Sequence, residues 1–212
     1  MTSIRVARLP RDQRRSQLVD AAAEVFTSKG FHAAAMDDIA EAAGVSKPVL
    51  YQHFSSKLEL YVDLLEVSCE RLLSIIRAAL ATTDVNRDRV VATMGGFYHF
   101  VNEQRADFRL VFESDLTSEP AVRDRLNQLN EDIADAVAQV IAEDTQLPPD
   151  QAKLLAISLT GVAQVSARYW AAGSTTIGLD EAIELVSRLV WRGIRGFPRT
   201  TPAGSPDSAT AG

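Results

Sequence analysis

The chain has 212 residues, 46% of them hydrophobic and 24% charged, which is enough apolar material for a sizeable core in one or two folded units. Its net charge of -6 weighs against a protein that coats nucleic acid indiscriminately. No run approaches the roughly 18 apolar residues of a membrane span, no apolar stretch follows the basic start as in a secretory signal, and the lone Cys69 can form no intramolecular disulfide; a soluble cytoplasmic chain is expected, with Cys69 a small buried hydrophobe.

Charge is unevenly divided along the chain. Residues 1 to 60 carry 8 Lys/Arg against 7 Asp/Glu, and the remainder 14 against 21. Arg5, Arg8, Arg11, Arg14 and Arg15 concentrate positive charge at the start. Residues 1 to 10 read as a flexible basic arm, suited to solvent or to nucleic-acid phosphates and a minor groove.

The apolar spacing is helical throughout, and no segment sustains the two-residue alternation of a half-buried strand, so the expected fold class is all-α. A first helix over about residues 11 to 29 places Leu18, Ala22, Val25 and Phe26 on one stripe and stops at Gly30. A second, about 37 to 43, turns Ile39, Ala40 and Ala43 inward and ends at Gly44. The third starts at Ser46, whose hydroxyl is placed to cap it, tolerates Pro48 in its first turn, and buries Val49, Leu50 and Phe54. Ser56-Lys57-Leu58-Glu59 then opens a fourth helix with a capping box, Ser56 and Glu59 each satisfying the other's backbone N–H.

Two short helices joined by Gly44-Val45-Ser46 must cross steeply, which is helix-turn-helix spacing. That geometry leaves Ser46, Lys47, Pro48, Tyr51, Gln52 and His53 at the start or on the outer face of the second of them, able to enter a major groove. Lys47 and Lys57 sit at successive helix starts, where free N–H groups and the dipole favour a phosphate oxygen, and Arg11 and Arg15 extend the basic side. Residues 11 to 56 therefore read as a DNA-binding domain.

From Arg15 to Leu60, with FTSKGFHAAAMDDIAEAAGVSKPVLYQHFSSKLEL, the chain resembles the DNA-binding domain of TetR-type transcriptional regulators. The resemblance implies a two-domain helical homodimer, an effector-binding second domain, and a four-helix bundle made with the partner by the last two helices. Such a dimer calls for a near-palindromic operator in double-stranded DNA. Met36 departs from the family pattern, which has threonine at the start of the second helix; a phosphate contact by that hydroxyl is lost, and Asp37 is left as the candidate cap. LPRDQRR, GFHAAAMDDIAEAAGVSKPVLYQHFSSKLELY, RLVFESDLTSEP and ARYW further resemble a narrower actinobacterial group that regulates fatty-acid synthesis and responds to long-chain acyl-CoA.

Past residue 60, helices are expected at about 57 to 81, 87 to 104, 106 to 116, 120 to 144, 149 to 172 and 179 to 196, making 57 to 197 the effector and dimerisation domain. The Pro-, Gly- and Ser-rich residues 198 to 212 read as a disordered tail. Two adjacent glycines in MGGFYHFV suggest that something compensates for weak helix propensity, and a cavity would do so. Its candidate lining is Met94, Phe97, Phe100 and Val101, with Phe108 and Phe112; Leu129, Ile133 and Val137 from the next helix; and Leu159, Val162, Ser166 and Trp170 from the one after. Packed core is the competing reading of each. The aromatic share suits a hydrocarbon, and the resemblance implies that it is the acyl chain of a fatty acyl-CoA, with Arg105, Arg109 or Arg168 near its phosphates. The implied dimer seam uses Leu159, Val162, Ile183, Val186, Leu189 and Val190.

His99 and Glu103, four apart, could share a metal, but two ligands complete no site and a solvated hydrogen bond is the simpler reading. Neither a Ser-His-Asp order nor a phosphate-cradling glycine loop nor a carboxylate pair with a chemical task is present, so no enzyme and no cofactor are expected. The alternatives to a lipid-responsive regulator are a TetR-type regulator of efflux or catabolism genes answering another hydrophobic ligand and, in other classes, a DNA-coating protein or a metal-dependent enzyme.

Overall fold

The computed structural model describes residues 10–103, 105–112, 116–173 and 175–193; the expected arm with Arg5 and Arg8, and the expected tail, lie outside the described residues. Among those described, the chain forms helices and no strand: α1 Arg11–Ala33, α2 Met36–Ala42, α3 Lys47–His53, α4 Lys57–Ala81, α5 Asn86–Glu103, α6 Arg105–Phe112, α7 Pro120–Thr145, α8 Pro149–Ala171 and α9 Leu179–Arg192. No described helix is long and apolar enough to cross a membrane.

Helix α1 is interrupted at Gly30, whose φ of 76° and ψ of 163° are open only to glycine. The stop is an extended kink and not the left-handed cap that spacing suggested. Leu18, Ala22, Val25 and Phe26 face inward, and Phe26, Phe31 and Tyr61 form an aromatic cluster with centroids 5.2 to 5.7 Å apart that joins α1 to α4. Several caps differ from their expected form. Asp38, not Asp37, accepts the Ala35 N–H at the start of α2, at 3.0 Å. Ser46 makes no side-chain cap to α3. Ser56 Oγ accepts the Glu59 N–H at 3.1 Å, but the Glu59 carboxylate reaches one residue further back, to the N–H and hydroxyl of Ser55. Those two bonds hold the Glu59 carboxyl below its usual range.

Helix α4 is the shared spine, packing on α1 at its start and on α5, α6 and α7 beyond. Cys69 lies fully buried on it, and desolvation pushes its thiol up to about 12. The next helices hold it with polar ties: Ser68 Oγ lies 2.7 Å from Asp107 Oδ1, the other Asp107 oxygen pairs with Arg71, and Arg125 of α7 pairs with Glu66. At Gly96 α5 packs tightly on α4, since a Cβ there would lie 2.9 Å from Ile75 Cγ2. Close helix contact, not space for a ligand, is what Gly96 serves. Gly95 faces Ile183 with room for a Cβ at 4.0 Å. α7 and α8 lie along each other, and α9 packs on α5 and α8.

Candidate functional site

The left-handed Gly44, with φ 63°, lets the chain leave α2 at Ala42 and re-enter a helix at Lys47. Leu50 and Phe54 anchor α3 with no exposed surface, and Ile39 and Ala40 hold α2 against it. The outer face then presents Ser46, Lys47, Pro48, Tyr51 and Gln52, all exposed. Lys47 is not unengaged: its Nζ lies 2.8 and 3.1 Å from the two oxygens of Asp37. A base or phosphate contact by Lys47 must replace that pair.

The other expected contacts on this side are placed differently. Arg11 is exposed. Arg15 is drawn in, its guanidinium 4.3 Å above the Phe54 ring, bonded to the His53 carbonyl at 3.0 Å and paired with Asp63 at 2.5 Å. His53 is half-buried, its Nδ1 enclosed without a hydrogen-bond partner among the described residues. Desolvation, then the charges of Arg11, Arg15 and Arg14, push its imidazole below the ordinary value. Lys57 departs furthest from a free cation at a helix start: its Nζ donates to the carbonyls of Phe31 at 2.6 Å and Ala34 at 2.8 Å and sits 4.4 Å above the Phe31 ring. It holds the segment after the Gly30 kink against α4.

In the larger part of the chain, a cavity of about 400 Å³ lies between α4, α5, α7, α8 and α9. Of the expected lining, Met94, Phe97, Ile133, Val137 and Leu159 do face it. Phe100, Val101 and Leu129 do not; they are packed core, each about 1% exposed. Phe112 stacks edge-on behind Phe97, with centroids 5.4 Å apart. Val162, Ser166 and Trp170 do not line the cavity either: Ser166 accepts the Tyr98 hydroxyl at 2.9 Å and donates to the Val162 carbonyl, and Trp170 donates to the Ile177 carbonyl at 2.9 Å. The side chains of Phe108 and Arg105 lie outside the described set. Arg109 donates to the Thr27 carbonyl of α1, and Arg168 is exposed on α8; neither borders the cavity.

The walls are therefore aliphatic more than aromatic, and displaced from the expected place towards the ends of the helices far from α1 to α3. Ile76, Leu80, Val90, Val140, Ile141 and Leu155 are lining residues that spacing alone missed. The signal was present: Ile133 and Val137 continue at helical steps to Val140 and Ile141. Polar groups gather at one end, where Asn86, Arg89, Asp144 and Thr145 meet. Arg89 there bonds the Thr83 carbonyl at 2.6 Å, Asn86 at 3.0 Å and Asp144 at 2.8 Å. The other end, at Phe97, Ile133 and Ala163, is apolar. From Asn86 to Phe97 the cavity follows about 16 Å of helix at roughly 1.5 Å per residue.

The outer face of α8 carries Leu154, Ile157, Val165 and Tyr169 in the open, beside Gly161 and Ser158. Of the residues expected at a dimer seam, Leu189 on α9 is likewise exposed, whereas Ile183 is buried and Leu159 and Val190 line the cavity. His99 Nδ1 and Glu103 Oε1 are 2.9 Å apart and exposed, and the described residues contain no cluster of three metal-ligating side chains.

A steeply crossed helix pair ahead of a helical body with a cavity is the architecture of one class of bacterial regulators. Residues 18–64 match the family described as bacterial regulatory proteins, tetR family, and over most of its length the chain is similar to one of that class. It belongs to the TetR family. That relative is the HTH-type transcriptional activator FasR of Mycolicibacterium smegmatis, 45% identical over 193 residues, covering 91% of this chain and 88% of the relative. A TetR-like transcriptional regulator from Rhodococcus sp. RHA1 superposes with a TM-score of 0.71 at 29% identity, over 90% of this chain and 100% of that one. The fold is also that of FadR from Bacillus subtilis, solved in complex with stearoyl-CoA: TM-score 0.73, 17% identity, 84% of this chain and 98% of that one.

Proposed function

We propose that the chain is a homodimeric, sequence-specific regulator of lipid-synthesis genes whose DNA binding is released by a long-chain fatty acyl-CoA. The observation that carries this reading is the polarity of the cavity: mainly aliphatic walls along about 16 Å of helix, with its charged and amide side chains, Asn86, Arg89 and Asp144, gathered at one end and only the hydroxyls of Thr93 and Thr160 along the walls. A chain with a polar head fits that gradient; a compact polar metabolite does not. The similarity to FasR and the stearoyl-CoA seen with the FadR fold support the choice of ligand. FasR's designation as an activator supports activation as the output of the ligand-free form.

In this reading Ser46, Lys47, Pro48, Tyr51 and Gln52 meet base edges and the adjoining phosphates, with Arg11 and the arm residues Arg5 and Arg8 extending along the backbone. The α8 face pairs with its counterpart in a second copy, giving two reading heads and half-sites about 34 to 36 Å apart, or farther where two dimers share an operator. Residues 11–56 would then serve as the DNA-binding domain and 57–197 as the ligand-binding and dimerisation domain, in the cytoplasm, acting by binding and not by catalysis. Ligand must favour the spacing of the heads that does not fit DNA, and typical coupling of about 1 to 3 kcal/mol gives 5- to 150-fold weaker DNA binding.

The test is titration of protein bound to DNA selected from a random pool, using acyl-CoA esters of increasing chain length. Release should rise with length and level off when the cavity is full. Equal release at every length, or none, rejects the lipid reading.

A further inference from the structure

An acyl chain in the cavity leaves its head group at the polar end, where the nearest cation is already committed. Arg89 is taken up by Thr83, Asn86, Asp84 and Asp144. Trp191, which lines this cavity, also lines a second cleft of about 470 Å³ between the start of α5 and α9. That cleft is mixed, with Val91, Ile183 and Trp191 beside its charged groups. It contains Arg87, Arg188 and Arg192 together with Ser187, Asp180 and Glu184.

Two features point to an anionic occupant. Arg87 and Arg192 are exposed and make no hydrogen bond or ion pair among the described residues, whereas Arg188 is paired with Glu184. Ser187 is 4% exposed, yet its Oγ is enclosed with no hydrogen-bond partner among the described residues. Helical serines ordinarily return their hydroxyl to the carbonyl four residues back. Ser68, Ser158 and Ser166 of this chain have it placed so, at 3.0, 2.8 and 2.6 Å. Ser187 departs from that habit at the wall of a cleft with two unpaired guanidinium groups. A buried hydroxyl without a partner is destabilising, and an oxyanion would relieve it.

We propose that this cleft holds the anionic head of the amphiphile whose chain fills the cavity, with Trp191 as the threshold between the two. Arg87 and Arg192 clamp phosphate or carboxylate oxygens from α5 and α9, and the Ser187 hydroxyl donates to the same group. The inference rests on the lipid reading and adds to it the class of head group and the residues that select it.

The experiment measures direct binding to the full chain by calorimetry, using palmitoyl-CoA, palmitate and the neutral palmityl alcohol, for the parent protein, the R87A/R192A double variant and S187A. Both arginines are exposed, so the double variant leaves the core untouched. It should weaken palmitoyl-CoA by about tenfold or more and change the alcohol by less than about twofold, with S187A moving in the same direction by less. Palmitate weakened equally assigns the cleft to any anionic head; palmitate unaffected assigns it to the CoA phosphates. Palmitoyl-CoA bound by the double variant within about twofold of the parent overturns the cleft while leaving the lipid reading in place, as does an equal loss for the alcohol. A parent protein that binds none of the three rejects both.

Discussion

Replacing Ala163 by leucine probes the apolar end of the cavity without touching its polar end. Ala163 is 5% exposed, lies on α8 and borders the cavity beside Phe97 and Ile133. The longer side chain adds three carbons to space that the end of a long acyl chain would occupy. Each displaced methylene forfeits about 0.8 kcal/mol of burial, so three cost about 2.4 kcal/mol, or roughly 50-fold in affinity. Chains too short to reach Ala163 should bind as before. In the free protein the new side chain enters a cavity of about 400 Å³, so the melting temperature should hold or rise. Calorimetric titration with acyl-CoA esters of graded length measures both limbs of this expectation. A loss of the same size at every length, or no loss for the longest, refutes the placement of the chain terminus.

At the reading helix, Tyr51→Ala and Lys47→Ala should each weaken specific DNA binding by about 1 to 3 kcal/mol in anisotropy titrations, with melting temperatures near the parent's because both side chains are exposed. Parental affinity in both would mean that α3 docks by another face. In α5 the two glycines should respond oppositely to alanine: Gly95→Ala gains up to about 1 kcal/mol of helix propensity, whereas Gly96→Ala drives a Cβ to 2.9 Å from Ile75 Cγ2 and should melt well below it. Equal melting temperatures would remove the close-contact argument. For His53, whose folded value is depressed below the ordinary pKa of about 6.5, the unfolded chain takes up the proton more readily. Its contribution is therefore present above that ordinary value and lost as the pH falls below it. The melting temperature should drop between about pH 7 and pH 5.5, and His53→Gln should flatten the drop; an unchanged slope in the variant counts against a buried neutral imidazole.

Much of the α2–α3 helix pair is legible because its determinants are local. Gly44, the buried face of Leu50 and Phe54, and the exposed Ser46-Lys47-Pro48 start all follow from spacing within a few residues. The cavity was half legible. Periodicity says which face of a helix turns inward, and Met94, Phe97, Ile133 and Val137 do so, but it cannot say where several inward faces fail to fill the space between them. Aromatic content pulled the expectation towards Phe100, Phe112 and Trp170, which satisfy themselves in core contacts and a hydrogen bond. The double glycine suggests room, yet Gly96 marks the opposite, a tight contact of α5 with Ile75 of α4. The engagement of Arg15 is hidden from spacing for a related reason: its carboxylate partner, Asp63, stands forty-eight positions away on another helix.

Lys57 separates two accounts of how the DNA-reading end is held. Spacing places it at a helix start, where it would offer its charge to a phosphate. The structure turns it inward, onto the carbonyls of Phe31 and Ala34, which follow the Gly30 kink and have lost their own helical partners. Lys57→Met keeps much of the aliphatic stem and the contact with Phe31 while removing the donor. Both carbonyls then lose a charge-assisted bond at a half-buried site, and the chain should lose about 1 to 3 kcal/mol of stability, read as a lower urea midpoint at unchanged slope. DNA affinity would fall with the loosening of α1 against α4, but the dependence of binding on salt would not change, since no phosphate contact is removed. Stability equal to the parent's, with a salt slope smaller by about one ion, is the result that would return Lys57 to the phosphate backbone.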